Sequence, residues 1–136
     1  PYHDAIAGLL ALRSHRPTLL ISIHSFTPVL NGQSRPWHIG ISHWRDPRLA
    51  ALLLEALRRT GDCTIGDNEP YPIENNVDYT IPRHGEGRGL PSVMIEIRQD
   101  QLRTSAGATA WAGRLAVAYR NIEAELPRLF GVSFQV

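Results

Sequence analysis

The sequence predicts an α/β domain with a largely buried sheet. Short apolar runs of strand length alternate along the chain with longer segments whose apolar residues recur at helical spacing. Prolines and glycines separate these segments at positions where helices commonly end. Such an alternation is typical of layered α/β folds, in which helices cover the faces of the sheet. The length of 136 residues is that of one domain, so we expect a single domain over residues 1–136.

The first half of the chain carries the signals of two helices and two strands. Asp4 can cap the start of the first helix, and Pro17 ends it. The second helix begins at Asp46-Pro47, an N-cap followed by a proline at the first helical position, and Gly61 stops it. These signals predict, in order, a helix over 4–15, a strand over 18–24, a Pro- and Gly-containing loop over 27–37, a strand over 38–44 and a helix from residue 46.

The second half of the chain contains one long irregular segment, one strand and one helix. Residues 62–91 are rich in Gly, Pro, Asn and charge, which predicts a long functional or mobile loop. "SVMIEIR", residues 92–98, predicts a third strand. A last helix is expected over about 105–126, closed by Pro127, with one apolar face formed by Trp111, Leu115, Ala118, Tyr119 and Ile122.

The composition excludes several function classes. All fourteen basic residues are Arg, and they balance thirteen acidic residues to a formal charge of +1. This balance gives no electrostatic reason to expect nucleic acid or an anionic membrane as a partner, and the absence of Lys excludes Schiff-base chemistry. The single Cys63 excludes an internal disulfide, and no apolar run approaches the roughly 20 residues that span a bilayer. We therefore expect a cytoplasmic protein.

Two polar residues stand out because each belongs to an apolar strand. His24 ends the run "TLLISIH", which carries it inward, and Glu96 lies inside "MIEIRQD". Ligands of α/β sheets gather outside the carboxyl ends of the strands, and both residues lie at or near such ends. A neutral imidazole binds zinc, and a nearby carboxylate can accept a proton from water that the metal activates. The pair is therefore what a hydrolytic metal site needs, although it supplies only one ligand and one base.

Simpler interpretations of these residues remain open on the sequence. Glu96 could pair with Arg98, two residues along on the same face of a solvated edge strand. Arg35 could bind a carboxylate bidentately, but an exposed loop arginine is the commoner case. The chain contains no HExxH zinc motif and no GxSxG nucleophile motif. The remaining histidines, taken singly, are more typical of surface or internally bonded residues: His3, His15, His38, His43 and His84.

Several blocks of sequence, taken together and in order, resemble the N-formylglutamate amidohydrolase family. They are "PYHDAI", "ISIHSFTPVLNGQSRPWHIGI", "GDNEPY", "YTIPRHGEGRGLPSVMIEIRQD" and the helix that contains Trp111. The resemblance implies a phosphorylase/hydrolase-like, zinc-carboxypeptidase-like fold, a three-layer αβα arrangement with a mixed central sheet. It also implies a metal-dependent amidohydrolase that converts N-formyl-L-glutamate to formate and L-glutamate.

The resemblance also implies roles for individual residues. By it, His24 is a metal ligand and Glu96 is the catalytic general base. The metal is expected to be Zn²⁺ or another divalent ion, and the substrate a small N-acyl amino acid. Residues that fall in the family's blocks around the site are expected to bind the substrate: Arg98, Arg35, His84 and Asn68.

Family members are about twice as long as this chain, and their first metal-binding segment lies in an N-terminal half. The resemblance thus implies that residues 1–136 correspond to the C-terminal half and that the remaining metal ligands lie outside this chain. An incomplete sheet would expose an unpaired edge, so we expect association through that edge or with the missing half. Two other functions stay open: a related zinc amidase that cuts a peptide or cell-wall amide, and a non-catalytic carboxylate-binding module.

Overall fold

The computed structural model describes residues 1–131 and shows an α/β fold with a mixed sheet. Four strands form the main sheet in the order β1-β6-β4-β5, and β2 and β3 form a separate hairpin. The strands are β1 (Leu20–Phe26), β2 (Val29–Leu30), β3 (Gln33–Ser34), β4 (Ile39–Ser42), β5 (Ile65–Asp67) and β6 (Ser92–Arg98). The helices are α1 (Tyr2–Leu12), α2 (Arg48–Arg58), α3 (Ser105–Ile122) and α4 (Leu126–Leu129).

Strand β6 lies in the interior of the sheet, whereas β1 lies at its edge. β6 runs parallel to β1 on one side and antiparallel to β4 on the other. Six of the seven residues of β6 are buried. β1 pairs with a strand on one side only within residues 1–131, and three consecutive residues of β1, 23–25, are exposed. The described part of the chain therefore leaves the β1 edge of the sheet open.

One face of the sheet is covered by α2 and α3. Alternate residues of β6 point to this face, and Val93 and Ile95 are fully buried there. α2 adds leucines spaced four residues apart, Leu49, Leu53 and Leu57. α3 adds four buried residues of its predicted apolar stripe, Trp111, Leu115, Ala118 and Ile122, and the fifth, Tyr119, is partly buried against this cluster. Burying one such Leu or Ile side chain contributes about 1.5–3 kcal/mol, so this layer is the main source of stability.

The opposite face is covered by the segment 69–90 rather than by a long helix. Ile73, Ile81 and Met94 form a small apolar cluster there, and Trp44 packs against it. This segment includes a π-helical turn, Thr80–Gly85, followed by a short 3₁₀ turn. α1 contacts the π-helical turn but buries none of its own residues. The three-layer αβα arrangement stays a prediction.

The predicted strand over 92–98 is confirmed, but two predicted loops contain further structure. The loop 27–37 folds into the hairpin of β2 and β3, whose turn residues Asn31 and Gly32 have φ of 52° and 77°. Positive φ at both positions is what a two-residue hairpin turn of type I′ requires. The loop 62–91 contains β5, which pairs with β4.

Two predicted helix ends were wrong. The first helix ends at Leu12, not at residue 15. The α3 helix ends at Ile122, and Pro127 does not close it, because Pro127 lies in the first turn of α4. A proline is tolerated there since its missing N–H would have no partner within the helix. No helix in residues 1–131 has the length and apolarity needed to cross a bilayer.

Candidate active site

His24 and Glu96 lie side by side in neighbouring strands. They are register partners in the parallel pair of β1 and β6, near the carboxyl end of both strands. Both line one cavity of about 370 Å³. The other residues around this cavity come from β6 and from the segment 71–78: Tyr71, Pro72, Glu74, Val77, Asp78 and Met94. The structure thus brings together the two residues that the sequence singled out.

Glu96 is a buried carboxylate with an unpartnered oxygen. Its side chain is 4% exposed, and Oε2 accepts no hydrogen bond from residues 1–131. Burial raises the pKa of Glu96 to about 7; the nearby charge of Arg35 opposes this shift and that of Asp78 adds to it. A carboxyl group with such a pKa exchanges protons readily near neutral pH, which is the property of a general base.

The prediction that the strand carries His24 inward is wrong. His24 is exposed, because β1 is the edge strand and no other part of residues 1–131 covers it. Its Nε2 and the hydroxyl oxygen of Ser22 share a hydrogen bond of 2.8 Å. A bond from one ring nitrogen orients the imidazole and leaves the other nitrogen for a ligand, the usual arrangement of a metal-binding histidine.

Arg35 is buried next to the cavity rather than exposed on a loop, but it is not among the residues that line the cavity. Its side chain is 8% exposed, and Nη1 donates a hydrogen bond of 2.9 Å to the hydroxyl of Tyr71. The guanidinium carbon lies 4.7 Å from the centre of the Tyr71 ring and 5.8 Å from that of Phe26. Arg35 therefore supplies a fixed positive charge beside Glu96. Its hydrogen-bond partner Tyr71 lines the cavity.

Tyr71 was not among the residues predicted from the sequence, because it lies in the "DNEPY" block but belongs to no recognised catalytic motif. Its position depends on β4. Ser42 donates a hydrogen bond of 2.7 Å to the carbonyl oxygen of Tyr71. At Gly40, the register partner of Glu96, a Cβ would collide with the carbonyl oxygen of Glu69. The glycine therefore allows the chain to cross closely over the sheet beside the buried carboxylate.

Asn68 lies at the start of this crossing and does not line the cavity. Its side-chain oxygen accepts a hydrogen bond of 2.8 Å from the backbone N–H of His43, and its own N–H donates to the carbonyl of Ile41. Its φ is 54°, a left-handed conformation that Asn adopts more readily than most residues. Asn68 thus fixes the path of the chain towards Tyr71.

Arg98 does not line the cavity either. Its Nε and Nη2 donate to the carboxylate of Asp100 at 2.7 and 3.2 Å. Its Nη1 lies 3.2–3.3 Å from the carbonyl oxygens of residues 35–37. The alternative of a Glu96–Arg98 pair on an edge strand is wrong, because β6 is interior and Arg98 pairs with Asp100. In this arrangement Arg98 holds the backbone that carries Arg35.

His84 is buried and packs against the N-terminal helix instead of the cavity. Its Nε2 lies 3.2 Å from Nδ1 of His3, and the two rings are stacked with centroids 5.2 Å apart. Burial lowers the pKa of His84, and the nearby charges of His3 and Arg88 lower it further. His84 therefore links α1 to the π-helical turn.

The residues around the cavity fit a metal ion only in part. Residues 1–131 contain no group of three or more His, Cys, Asp or Glu side chains placed to hold one ion. The exposed imidazole of His24 and the unpartnered oxygen of Glu96 match one ligand and one base. A catalytic zinc takes three protein ligands, so the others would have to come from outside the described residues.

The sequence matches one model of a known protein family. The model for N-formylglutamate amidohydrolase matches residues 1–103, a stretch that contains His24, Arg35, Tyr71 and Glu96. The chain belongs to the N-formylglutamate amidohydrolase family. This family is one of amidohydrolase-type enzymes. No curated protein matches the sequence significantly.

Two crystal structures are similar to this member of the family. A gene product of Agrobacterium tumefaciens is 35% identical, covers 91% of this chain and 50% of its own, and gives a TM-score of 0.84. The N-formylglutamate amidohydrolase of Ralstonia eutropha is 20% identical, with 97% of this chain and 53% of its own covered and a TM-score of 0.67, and supports the fold alone. The chain therefore spans about half the length of both proteins.

Proposed function

We propose that this chain contributes the general base and one metal ligand to a metal-dependent amidohydrolase acting on N-acyl amino acids. The substrate that fits the family best is N-formyl-L-glutamate, which would yield formate and L-glutamate. The observation that supports this proposal most directly is the pairing of a buried, unpartnered carboxylate with an imidazole at the ends of two parallel strands. A cytoplasmic location belongs to the same proposal.

Amide hydrolysis adds water to the acyl carbon and breaks the bond between that carbon and nitrogen. Glu96 would accept the proton from water at Oε2 and deliver it to the leaving amine, a contribution of roughly 10²–10⁴ in rate. His24 and ligands outside residues 1–131 would hold Zn²⁺ or another divalent ion, which would polarise the acyl carbonyl and acidify the water. Tyr71 lines the cavity, and Arg35, which lies behind Tyr71 and outside the lining, would attract the substrate's carboxylate through its charge.

The roles expected for the other three residues change with the geometry. Arg98 and Asn68 hydrogen-bond to the backbone near Arg35 and Tyr71, which supports positioning roles. His84 bonds to His3 and lies outside the cavity lining, so a direct contact with substrate has no support from its position.

Completion of the site by a further polypeptide segment is also part of the proposal. Strand β1 has an open edge within residues 1–131, and Ile23 on it is 63% exposed. The matched structures are about twice as long as this chain. A strand added to this edge would lie next to His24, where the missing ligands are needed. This supports the interpretation that the chain corresponds to the C-terminal half.

The test compares this chain with a longer form translated from an upstream-extended reading frame. Metal content is measured by elemental analysis, and formate release is measured with N-formyl-L-glutamate. We expect metal and formate only with the longer form. In it, Glu96→Gln should keep the metal but lower kcat by at least about 10²-fold. His24→Ala should lower the metal content, and Glu123→Gln, an exposed matched control, should change neither quantity.

The other outcomes decide between the remaining functions. Metal in the longer form with cleavage of a peptide amide, but no formate from N-formyl-L-glutamate, would identify a zinc amidase. Metal in neither form would exclude the metal enzyme and favour a carboxylate-binding module.

A further inference from the structure

A second cavity, of about 260 Å³, lies between the C-terminal end of α1 and the 3₁₀ turn Glu86–Arg88. Three arginines surround it: Arg13 and Arg16, which follow α1, and Arg88. Within residues 1–131, no acidic residue lines this cavity. It shares no lining residue with the cavity of His24 and Glu96, so it is a separate feature of the molecule.

The three arginines around this cavity have no carboxylate partner within residues 1–131. All three are exposed. Six of the other eleven arginines do form ion pairs with carboxylates, and five do not in the described part of the chain; the six are Arg48, Arg58, Arg59, Arg98, Arg114 and Arg128. Like charges around one cavity repel each other, and a bound anion would remove that repulsion. The charge of Arg88 also contributes to lowering the pKa of the buried His84, after burial and the charge of His3.

The negative end of the α1 dipole accounts for two of these arginines at most. Arg13 directly follows Leu12, the last residue of the helix, where a cation is favourable, and Arg16 lies three residues further on. Thr18, which is buried, accepts a hydrogen bond of 3.3 Å from Nε of Arg13 and donates one of 2.9 Å to the carbonyl of Arg16. Arg88 comes from a different element, so helix stabilisation does not account for its place at the same cavity.

We propose that this cavity binds a small phosphate-type oxyanion, either free phosphate or the phosphate group of a small metabolite. Planar guanidinium groups match the oxygen geometry of phosphate, and several of them together suit a dianion. The volume is below the roughly 300–1,000 Å³ of typical ligand pockets, which favours a compact anion over a whole nucleotide. The rest of the lining is apolar or carries a hydroxyl group: Leu10, Ala11, Ser14, Thr18 and Leu90.

The test titrates the purified chain with inorganic phosphate and with glycerol phosphate, by calorimetry or NMR, at constant ionic strength set with sodium chloride. We expect saturable binding to one site, weakened roughly tenfold by each of Arg13→Gln, Arg16→Gln and Arg88→Gln, since each removes a charge-assisted hydrogen-bond donor. Arg120→Gln is the matched control, because Arg120 is exposed on α3, which does not line the cavity. Circular dichroism checks that every variant is folded.

The outcomes distinguish the source of the anion and can overturn the site. Tighter binding of glycerol phosphate assigns the cavity to a phosphorylated metabolite, and tighter binding of inorganic phosphate assigns it to the free ion. The site is refuted by an absence of saturation at about 10 mM phosphate, a concentration that fills even a millimolar site. Binding that the three substitutions leave unchanged, or equal binding of glutarate, also refutes it. None of these readouts depends on catalysis, so the proposed function is tested separately.

Discussion

Strands β1 and β6 are paired neighbours of equal length that differ in their surroundings. Each has seven residues, and the two run parallel in register, so that Ile23 lies opposite Ile95 and His24 opposite Glu96. Six residues of β6 are buried, whereas residues 23–25 of β1 are exposed. β6 has a neighbouring strand on both sides, and β1 has one only within the described chain. Apolar sequence therefore identifies a strand, but position in the sheet decides its burial.

The same difference gives the two polar residues different chemical properties. Burial raises the pKa of Glu96 to about 7, as a proton acceptor near neutral pH requires. His24, on the open edge, is accessible to a metal ion and to further ligands beside it. The proposed base thus lies on the interior strand, and the proposed metal ligand lies on the edge strand, where other groups can join it.

The largest effect is expected from a matched pair of core and edge substitutions. Ile95→Ala should lower the free energy of unfolding by about 2–5 kcal/mol, because Ile95 is fully buried and its truncation leaves a cavity. Ile23→Ala should change it by less than about 0.5 kcal/mol, because Ile23 is 63% exposed. Urea denaturation of both variants at equal protein concentration measures the difference.

If Ile95→Ala and Ile23→Ala lowered the free energy of unfolding by similar amounts, Ile23 and the edge of β1 would be covered in solution. Repeating the denaturation at several protein concentrations would then identify a second copy of the chain as the cover, since only association makes stability concentration-dependent.

The second prediction concerns the pH dependence of stability. The pKa of Glu96 is about 7 in the folded protein against an ordinary value of 4.5. The stabilisation that Glu96 contributes to the folded state is therefore fully present below pH 4.5 and is lost as the pH rises to 7. Over this range the free energy of unfolding should fall by about 3 kcal/mol, at 1.36 kcal/mol per pKa unit. In Glu96→Gln this decline should disappear, as measured by chemical denaturation between pH 4 and 8.

His84 has the opposite effect on the pH dependence of stability. Its pKa is lowered in the folded protein, so the free energy of unfolding falls as the pH drops below the ordinary value of 6.5. This contribution is present in both proteins and cancels in the difference between them. Glu123→Gln, at an exposed position, should leave the curve unchanged. Parallel curves for the wild type and Glu96→Gln would mean that Glu96 is hydrated in solution and would remove the basis for its raised pKa.

Local sequence signals predicted the parts of the fold that depend on local spacing. The strand 92–98 was correct at both ends, because its apolar run follows Pro91 directly. The buried face of α3 was correct because its apolar residues recur at helical spacing. The three-residue strand β5 was missed, since its stability comes from pairing with β4 and not from its own composition.

The candidate site could be predicted only in outline. Its two central residues were found because a polar side chain inside an apolar strand is visible in sequence. The contact of Arg35 with Tyr71 joins residues 36 positions apart, and no local pattern encodes such a distance. The exposure of His24 also depends on a property of the whole sheet, namely which strand lies at its edge.

The smallest of the three effects is expected at the ends of the two strands, where Phe26 of β1 lies opposite Arg98 of β6. Arg98→Lys should lower the free energy of unfolding by about 1–2 kcal/mol, because a single ammonium group cannot reproduce the fork that reaches Asp100 and the carbonyls of residues 35–37. Hydrogen exchange should accelerate in residues 33–38 and stay unchanged in the interior of β6. Arg103→Lys, at an exposed position, is the control.

Faster exchange confined to residues 33–38 would identify Arg98 as the residue that positions Arg35 from the interior strand. Unchanged exchange there would mean that the hydrogen bond and ring contacts between Arg35 and Tyr71 hold this segment on their own. The base and the positive charge beside it would then be positioned independently, Glu96 by β6 and Arg35 by the segment that crosses over β4.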